Sequence, residues 1–219
     1  MRGYLPAAVA IAAGMALVAV APDGAQATSL LTNGSFENLD NTWVEDGSSG
    51  YMPLYANDTT IPGWTVSPHV ENEIVWGKAP DAGYTAADGS YFLELTGFNN
   101  DSPNGAVRQT VSLTPGQTYM VTFAWGTSSD ADPGVDVDGT DVATHLLTVG
   151  GVWELLGGSF VAPSDPNPYL EIYNASGGGF ALYIDDASLE LASASTPEPA
   201  SIALLGVAAL GIGLARRRR

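Results

Sequence analysis

The feature that most constrains the fold is a two-residue alternation of apolar and polar side chains, broken at short intervals by turn-forming residues. It is clearest in 118–125, whose odd-numbered positions, from Tyr119 to Trp125, are aromatic or aliphatic and fall on one face. Seven further segments are predicted as strands: 72–76, 91–95, 107–113, 143–149, 158–162, 169–173 and 182–191. No stretch keeps a helical period over about a dozen residues. We therefore predict an all-β chain folded as a β-sandwich.

Turn-forming residues predict how some of these strands connect. Pro115 and Gly116 stand at the centre of a four-residue turn, so we expect 107–113 and 118–125 to form an antiparallel hairpin. Two polar segments, 38–60 and 127–139, contain glycine and proline and are predicted as loops.

The N-terminus has the composition of a cleaved secretory signal. Arg2 precedes an apolar stretch at about 5–21, which is shorter than the roughly 20 residues of a membrane span. Ala25 and Ala27 occupy the two positions that signal peptidase inspects, so cleavage is expected after Ala27. The alternative is an uncleaved anchor.

The C-terminus combines a Pro-Glu-Pro motif, an apolar segment at 202–215 and a terminal arginine cluster. The apolar segment is short for a permanent span, and its glycines lower its helix propensity. Arginines after such a segment favour a cytoplasmic location for this end. These features are better explained by a transient sorting tail than by a lasting anchor.

These three elements resemble the PEP-CTERM sorting signal of Gram-negative bacteria. The residues that carry the resemblance are Pro197, Glu198, Pro199, Arg216, Arg217, Arg218 and Arg219. The resemblance implies processing by an exosortase, transient inner-membrane contact, and a final place at the cell surface or in an extracellular polysaccharide matrix or biofilm. The expected organisation is a signal peptide at 1–27, a β-sandwich domain at 28–192, and a linker with the sorting signal at 193–219.

The charge of the predicted domain excludes one class of partner. Lys78 and Arg108 are its only basic residues against 22 acidic ones, a net charge of about −20. Such a surface repels nucleic acid and anionic lipid, so DNA and RNA binding are excluded. The chain has no cysteine, so neither disulfides nor thiolate metal sites contribute.

Five short segments of the domain, in this order, resemble galactose-binding-domain-like jelly rolls. They also look like a family of unknown function shared by plant cell-wall and bacterial sorted proteins, and like several carbohydrate-binding modules. The segments are 33–37, 61–64, 88–95, 107–119 and 184–189. The resemblance implies a jelly-roll β-sandwich, but it does not identify a ligand because this fold hosts many functions.

The same resemblance implies a structural calcium ion. The matching positions are Glu37 and Asp185 or Asp186, and Ca²⁺ takes six to eight oxygen ligands of this kind. A metal there would tie the start of the domain to its last strand. The alternative is that these acids are solvated strand ends.

A second acidic run lies at 130–141. Asp136 to Gly139 resembles half of an EF-hand, but Gly134 stands where the first ligand should be and His145 where the bidentate Glu should be. A solvated acidic loop is therefore favoured over a metal site.

Aromatic residues suggest a sugar-binding surface, because flat rings stack on the apolar faces of pyranoses. Trp64 and Trp125 are predicted to be core residues. The candidates for an exposed platform are Trp43, Tyr51, Tyr55 and Trp76.

Catalysis has little support in the sequence. The two histidines, His69 and His145, are in no recognisable nucleophile–base arrangement, and with so many acids a close carboxyl pair carries little information. We therefore expect a non-catalytic exported module that binds polysaccharide. One alternative is a matrix protein that acts through bulk charge and calcium bridging. A polysaccharide hydrolase is a third reading, and it requires a cleft with two carboxyls at a fixed separation.

Overall fold

The computed structural model describes residues 28–46, 50–80, 85–98, 102–127, 132–142, 144–147, 153–175 and 181–192. The signal-cleavage residues Ala25 and Ala27 and the sorting motif from Pro197 to Arg219 lie outside these ranges. Within them, no helix has both the length and the apolar character needed to cross a membrane.

The described chain is built from short strands numbered in chain order. They are β1 (Tyr51–Tyr55), β2 (Thr65–Val66), β3 (Glu73–Lys78), β4 (Tyr91–Glu94), β5 (Ala106–Thr110), β6 (Thr118–Thr127), β7 (Pro133–Val137), β8 (Thr140–Asp141), β9 (Thr144–Leu147), β10 (Trp153–Val161), β11 (Tyr169–Asn174) and β12 (Leu182–Leu191).

The strands form two sheets, and every pairing within them is antiparallel. The seven-stranded sheet has the order β1-β3-β4-β12-β6-β10-β9, and the five-stranded sheet has the order β2-β5-β11-β7-β8. The last strand, β12, pairs with β4 and β6, which lie much earlier in the sequence, as in a sandwich whose chain crosses repeatedly between sheets. The predicted all-β sandwich is confirmed.

The core lies between the sheets and is built by the alternation seen in the sequence. On β6, all four predicted inward residues from Tyr119 to Trp125 are buried, and on β11 Leu170 and Ile172 are fully buried. Trp64 and Trp125 are core residues as predicted. Burial of each such apolar side chain stabilises the fold by about 1.5–3 kcal/mol. The apolar face of each strand is therefore the face that turns toward the core.

The predicted hairpin between 107–113 and 118–125 is wrong. The Pro-Gly turn is present, since the Gln117 N–H donates to the Thr114 carbonyl at 3.2 Å. However, β5 pairs with β2 and β11, whereas β6 pairs with β10 and β12. Because both flanking strands carry a buried apolar face, the turn carries the chain from one sheet to the other and places those faces against each other.

The two predicted loops each contain a strand. Segment 38–60 includes β1, an edge strand, where Pro53 is tolerated because one side of the strand needs no ladder hydrogen bonds. Segment 127–139 includes β7, whose first residue is Pro133, another position at which a missing N–H is tolerated. Proline, which is typical of loops, here marks an edge strand and a strand start.

Candidate functional site

A row of charged side chains crosses the outer face of the five-stranded sheet. Glu171 on β11 lies directly opposite Arg108 on β5 and, on its other side, opposite Asp136 on β7. Asp136 in turn lies opposite Asp141 on β8. Directly opposite residues of antiparallel strands project from the same face, with Cβ atoms about 5 Å apart. We call these four residues the polar row.

Part of the polar row lines a cleft of about 230 Å³. The cleft is completed by residues just after β2, just before β5, and at the end of β11. The lining residues are Ser67, His69, Asn104, Ala106, Asp136, Glu171, Tyr173 and Asn174. All except Ala106 carry a side-chain hydrogen-bonding group, so the cleft suits a ligand rich in hydroxyl or amino groups.

Tyr173 is positioned by a glycine on the neighbouring strand. Gly134 on β7 lies opposite Tyr173, and a Cβ atom at Gly134 would lie only 2.3 Å from Tyr173 Cζ. The ring therefore covers the bare backbone of Gly134. Its hydroxyl donates to Asp141 Oδ1 at 2.6 Å, and burial together with this bond raises the pKa of Tyr173 to about 12. The result is a fixed aromatic surface beside the cleft.

The carboxylate of Asp136 is buried beside other acidic residues, an environment that disfavours its negative charge. It is only 9% exposed, and burial raises its pKa above the usual range. The Gly139 N–H donates to Asp136 Oδ1 at 2.9 Å and lowers the pKa, but the nearby Asp141 and Asp138 raise it further. The interpretation of this acidic run as a solvated loop is therefore wrong for Asp136, which is a buried strand residue.

Glu171 is in a similar position. Burial raises its pKa, and although Arg108 and His69 lower it, their effect is smaller than that of burial. The Ser67 hydroxyl also lies near enough to lower this pKa, but the two groups do not meet the distance and angle of a hydrogen bond. Arg108 directs its guanidinium over the Tyr169 ring, 5.7 Å from the centroid.

The aromatic platform predicted from the sequence does not form one exposed surface. Trp76 is fully buried and belongs to the core, so its ring offers no face to a sugar. Trp43 is half-buried and donates its Nε1–H to the Trp76 carbonyl at 3.2 Å. Tyr51 packs edge-on against Phe98 with ring centroids 5.3 Å apart, while Tyr55 is exposed.

The predicted calcium ligands lie elsewhere, where the start of the domain meets β4 and β12. Glu37 Oε1 accepts hydrogen bonds from the N–H groups of Ser90 at 2.7 Å and Tyr91 at 2.5 Å. Gly89, with φ of 62°, passes so close that a Cβ atom there would lie 2.3 Å from Glu37 Cδ. The Glu37 carboxylate is thus packed directly on the turn at 87–91.

Asp185 also accepts hydrogen bonds from this turn. Its Oδ2 accepts from the N–H groups of Ala87 at 2.8 Å and Asp88 at 3.0 Å, and its Oδ1 accepts from Asp186 at 2.7 Å. Asp185 is fully buried, and burial raises its pKa to about 7 although all three hydrogen bonds lower it. We call Glu37, Asp185 and the turn at 87–91 the clasp.

As placed, the clasp does not form a complete cation site. Three of the four carboxylate oxygens of Glu37 and Asp185 already accept amide N–H groups. In the part of the chain that the structure describes, no group of three His, Cys, Asp or Glu side chains is arranged to hold a metal ion. Burial and the nearby Asp88 raise the pKa of Asp186. Calcium at Glu37, Asp185 and Asp186 stays a prediction.

Most residues of the cleft are not marked by any sequence motif. Glu171 and Tyr173 were within a correctly predicted strand, where alternation places them with Tyr169 on one face. That aromatic and acidic face was the available signal for an outward-facing site. Nothing local marks Ser67 and Asn104, because the folding of distant strands brings them to the cleft.

Two family models match this sequence. The model described as "Protein of unknown function (DUF642)" matches residues 29–166, and the PEP-CTERM protein-sorting motif matches residues 195–219. These matches confirm the resemblances noted in the domain and in the C-terminal tail. A segment of Halomucin from Haloquadratum walsbyi is 29% identical over 174 residues, covering 75% of this chain and 2% of that protein. The chain thus spans only a small part of that curated relative.

Solved structures with a similar fold include a cyclase from Fischerella sp. TAU. It is 18% identical, has a TM-score of 0.52, and the match covers 78% of this chain and all of the cyclase. A xylan-binding domain, CBM22-1 of Paenibacillus barcinonensis Xyn10C, is 15% identical with a TM-score of 0.43, covering 77% of this chain and 97% of that domain. The first match shows a shared fold, in agreement with the predicted jelly-roll sandwich.

Proposed function

The chain belongs to the DUF642 family, a family of unknown function. For this member, we propose the function of an exported, non-catalytic module that binds polysaccharide. The PEP-CTERM motif supports export and exosortase processing at the membrane. The proposal extends to a final place at the cell surface or in the extracellular matrix of a Gram-negative bacterium. Its binding site is the cleft on the five-stranded sheet.

The observation that carries the proposal is the combination of Tyr173 with the polar row. A ring fixed over Gly134 offers a stacking surface for the apolar face of a pyranose. Hydroxyls of the same sugar are within reach of Asp136, Glu171 and Asn104, which line the cleft beside the ring. A stacking surface bordered by oriented polar groups is the arrangement that sugar recognition requires.

Binding to a panel of polysaccharides, by affinity electrophoresis and calorimetry, tests the proposal. We expect retention by at least one polysaccharide and a loss of affinity of about tenfold, roughly 1.4 kcal/mol, in Tyr173→Ala. Tyr55→Ala is the matched control, because Tyr55 is an exposed tyrosine on the other sheet and its removal should not change binding.

Gly134→Ala provides a second variant that leaves Tyr173 in place. The added methyl group would overlap the ring, so the ring must move away from its present position beside the cleft, which disturbs its hydrogen bond to Asp141. We expect the same loss of binding as in Tyr173→Ala. If no polysaccharide is retained, the proposal fails and the alternative is a matrix protein acting through bulk charge and calcium bridging.

The carboxyl pair of the cleft also bears on a second function, glycoside hydrolysis. Asp136 and Glu171 are carboxyl groups on directly opposite strand positions, and both have raised pKa values. In hydrolysis, an acid and a nucleophile or base flank the scissile bond. Here both side chains project side by side from one sheet face, which places them on the same side of a bound sugar. We therefore expect no reducing ends to appear when the retained polysaccharide is incubated with the protein.

A further inference from the structure

The cleft has an uneven distribution of charge that goes beyond general sugar binding. Glu171, Asp136 and Asp141 lie on three adjacent strands in one line, and the only opposite charge in that line is Arg108 at its end. Asp136 is nine-tenths buried, and the charged neighbours that act on it are both acidic. Like charges directly opposite on a sheet destabilise the fold, so this arrangement has a cost without a ligand.

A second observation is independent of the carboxylates. The Ser67 side chain is fully buried, lines the cleft and makes no hydrogen bond. Buried hydroxyl groups are ordinarily paired, because an unpaired one loses its hydrogen bonds to water without replacement. An unpaired hydroxyl beside Glu171 indicates a position where a polar group of a ligand completes the site.

The negative charges of the polar row determine whether an anionic, neutral or cationic ligand group is favoured in the cleft. A uronic acid or sulfated sugar would add a negative charge beside Glu171 and Asp136, which is unfavourable. A neutral hydroxyl would form hydrogen bonds but leave the repulsion between the two carboxylates. An ammonium group between them would offset that repulsion and form charge-assisted hydrogen bonds with both.

Resting on the proposed polysaccharide-binding function, we propose that the cleft recognises a glycan with free amino groups. Its pyranose ring stacks on Tyr173, and its ammonium group lies between Glu171 and Asp136. The Ser67 hydroxyl bonds to the same sugar. The ring is the reason to prefer an amino sugar over a lysine side chain, since a flexible lysine has no apolar ring face for Tyr173.

The test compares two ligands that differ only in the amino group. Oligomers of glucosamine and of N-acetylglucosamine with the same length and linkage are titrated at a pH where the free amine is protonated. We expect the free-amine oligomer to bind at least tenfold more tightly to the full chain. Glu171→Gln and Asp136→Asn should each remove most of this preference. Circular dichroism of both variants shows whether they are folded.

Bulk charge requires its own control, because a domain of about −20 attracts any polycation. Glu190→Gln makes the same change of charge and shape on β12 in the other sheet. We expect it to keep the full preference for the amine. An equal loss in Glu190→Gln and Glu171→Gln would overturn the inference in favour of bulk attraction.

Other outcomes separate the inference from the proposed function. If both oligomers bind equally, or only a neutral polysaccharide binds, the amine inference is overturned and polysaccharide binding stands. If no glycan binds at all, both fail. If a lysine-rich peptide binds as tightly as the glucosamine oligomer and with the same dependence on Glu171, the assignment to a sugar is overturned.

Discussion

The clasp and the cleft both contain a buried carboxylate, but the two carboxylates differ in their hydrogen-bond donors and in their charged neighbours. In the clasp, Glu37 Oε1 and both oxygens of Asp185 accept five backbone N–H groups from the turn at 87–91 and from Asp186. In the cleft, Asp136 accepts one N–H group, and its nearest charged neighbours are other carboxylates.

The difference separates a structural use of buried charge from a binding use. A buried carboxylate surrounded by amide donors is complete within the protein, and it joins segments that are about 150 residues apart between Glu37 and Asp185. In the proposed function, the carboxylates of the cleft, which face one another across adjacent strands, are completed by a ligand. The first should therefore govern stability, and the second should govern affinity.

The largest expected effect is on stability at the clasp. Asp185→Ala removes a buried acceptor that three backbone N–H groups share, so we expect the free energy of unfolding to fall by about 3 kcal/mol. Asp136→Ala, at the cleft, should cost less than about 1 kcal/mol, because it removes one such bond and also a repulsive charge. Urea denaturation of both variants measures the two values. Equal losses would contradict the distinction between the two regions.

A smaller effect is expected from the repulsion within the polar row. Because the pKa values of Asp136 and Glu171 are raised in the folded state, the folded protein holds these protons more tightly than the unfolded chain. Stability should therefore fall as the pH rises from the unfolded values, near 4, through the folded ones. At neutral pH, Glu171→Gln should recover about 0.5 kcal/mol, and its stability should change less between pH 4 and pH 7. Denaturation of wild type and Glu171→Gln at each pH measures both effects. An equal free energy of unfolding in the two proteins at neutral pH would show that the two carboxylates do not interact.

The sequence predicts the strands better than it predicts their pairing or the site. The alternation in 118–125 and 182–191 predicted β6 and β12, because burial of one face depends only on neighbouring residues. The choice of sheet was not predictable in this way. The turn at Pro115 and Gly116 has the same local form in a hairpin and in a crossing between sheets, and the partner of β5 is decided by β11, some 60 residues later.

The same reasoning explains why the clasp was anticipated and the cleft was not. Glu37 and Asp185 each stand in a short recognisable segment, so a resemblance could point to them without any knowledge of strand pairing. The polar row exists only because β5, β11, β7 and β8 align in one register. Shifting any one strand by a residue would turn its charged side chain to the other face.

The smallest expected effect concerns calcium at the clasp. A bound ion would have to use the oxygens that the amides leave available, chiefly Glu37 Oε2 and the Asp186 carboxylate, together with backbone carbonyls. Because three of the four oxygens of Glu37 and Asp185 already accept amide N–H groups, such an ion would add little stability, and we expect EDTA to lower the melting temperature only slightly. An unchanged melting temperature would contradict the predicted calcium ion. Asp186→Asn, assayed with added calcium, is the control for binding at that residue. A melting temperature that falls with EDTA, recovers with calcium and loses this response in Asp186→Asn would establish a structural calcium ion at the clasp.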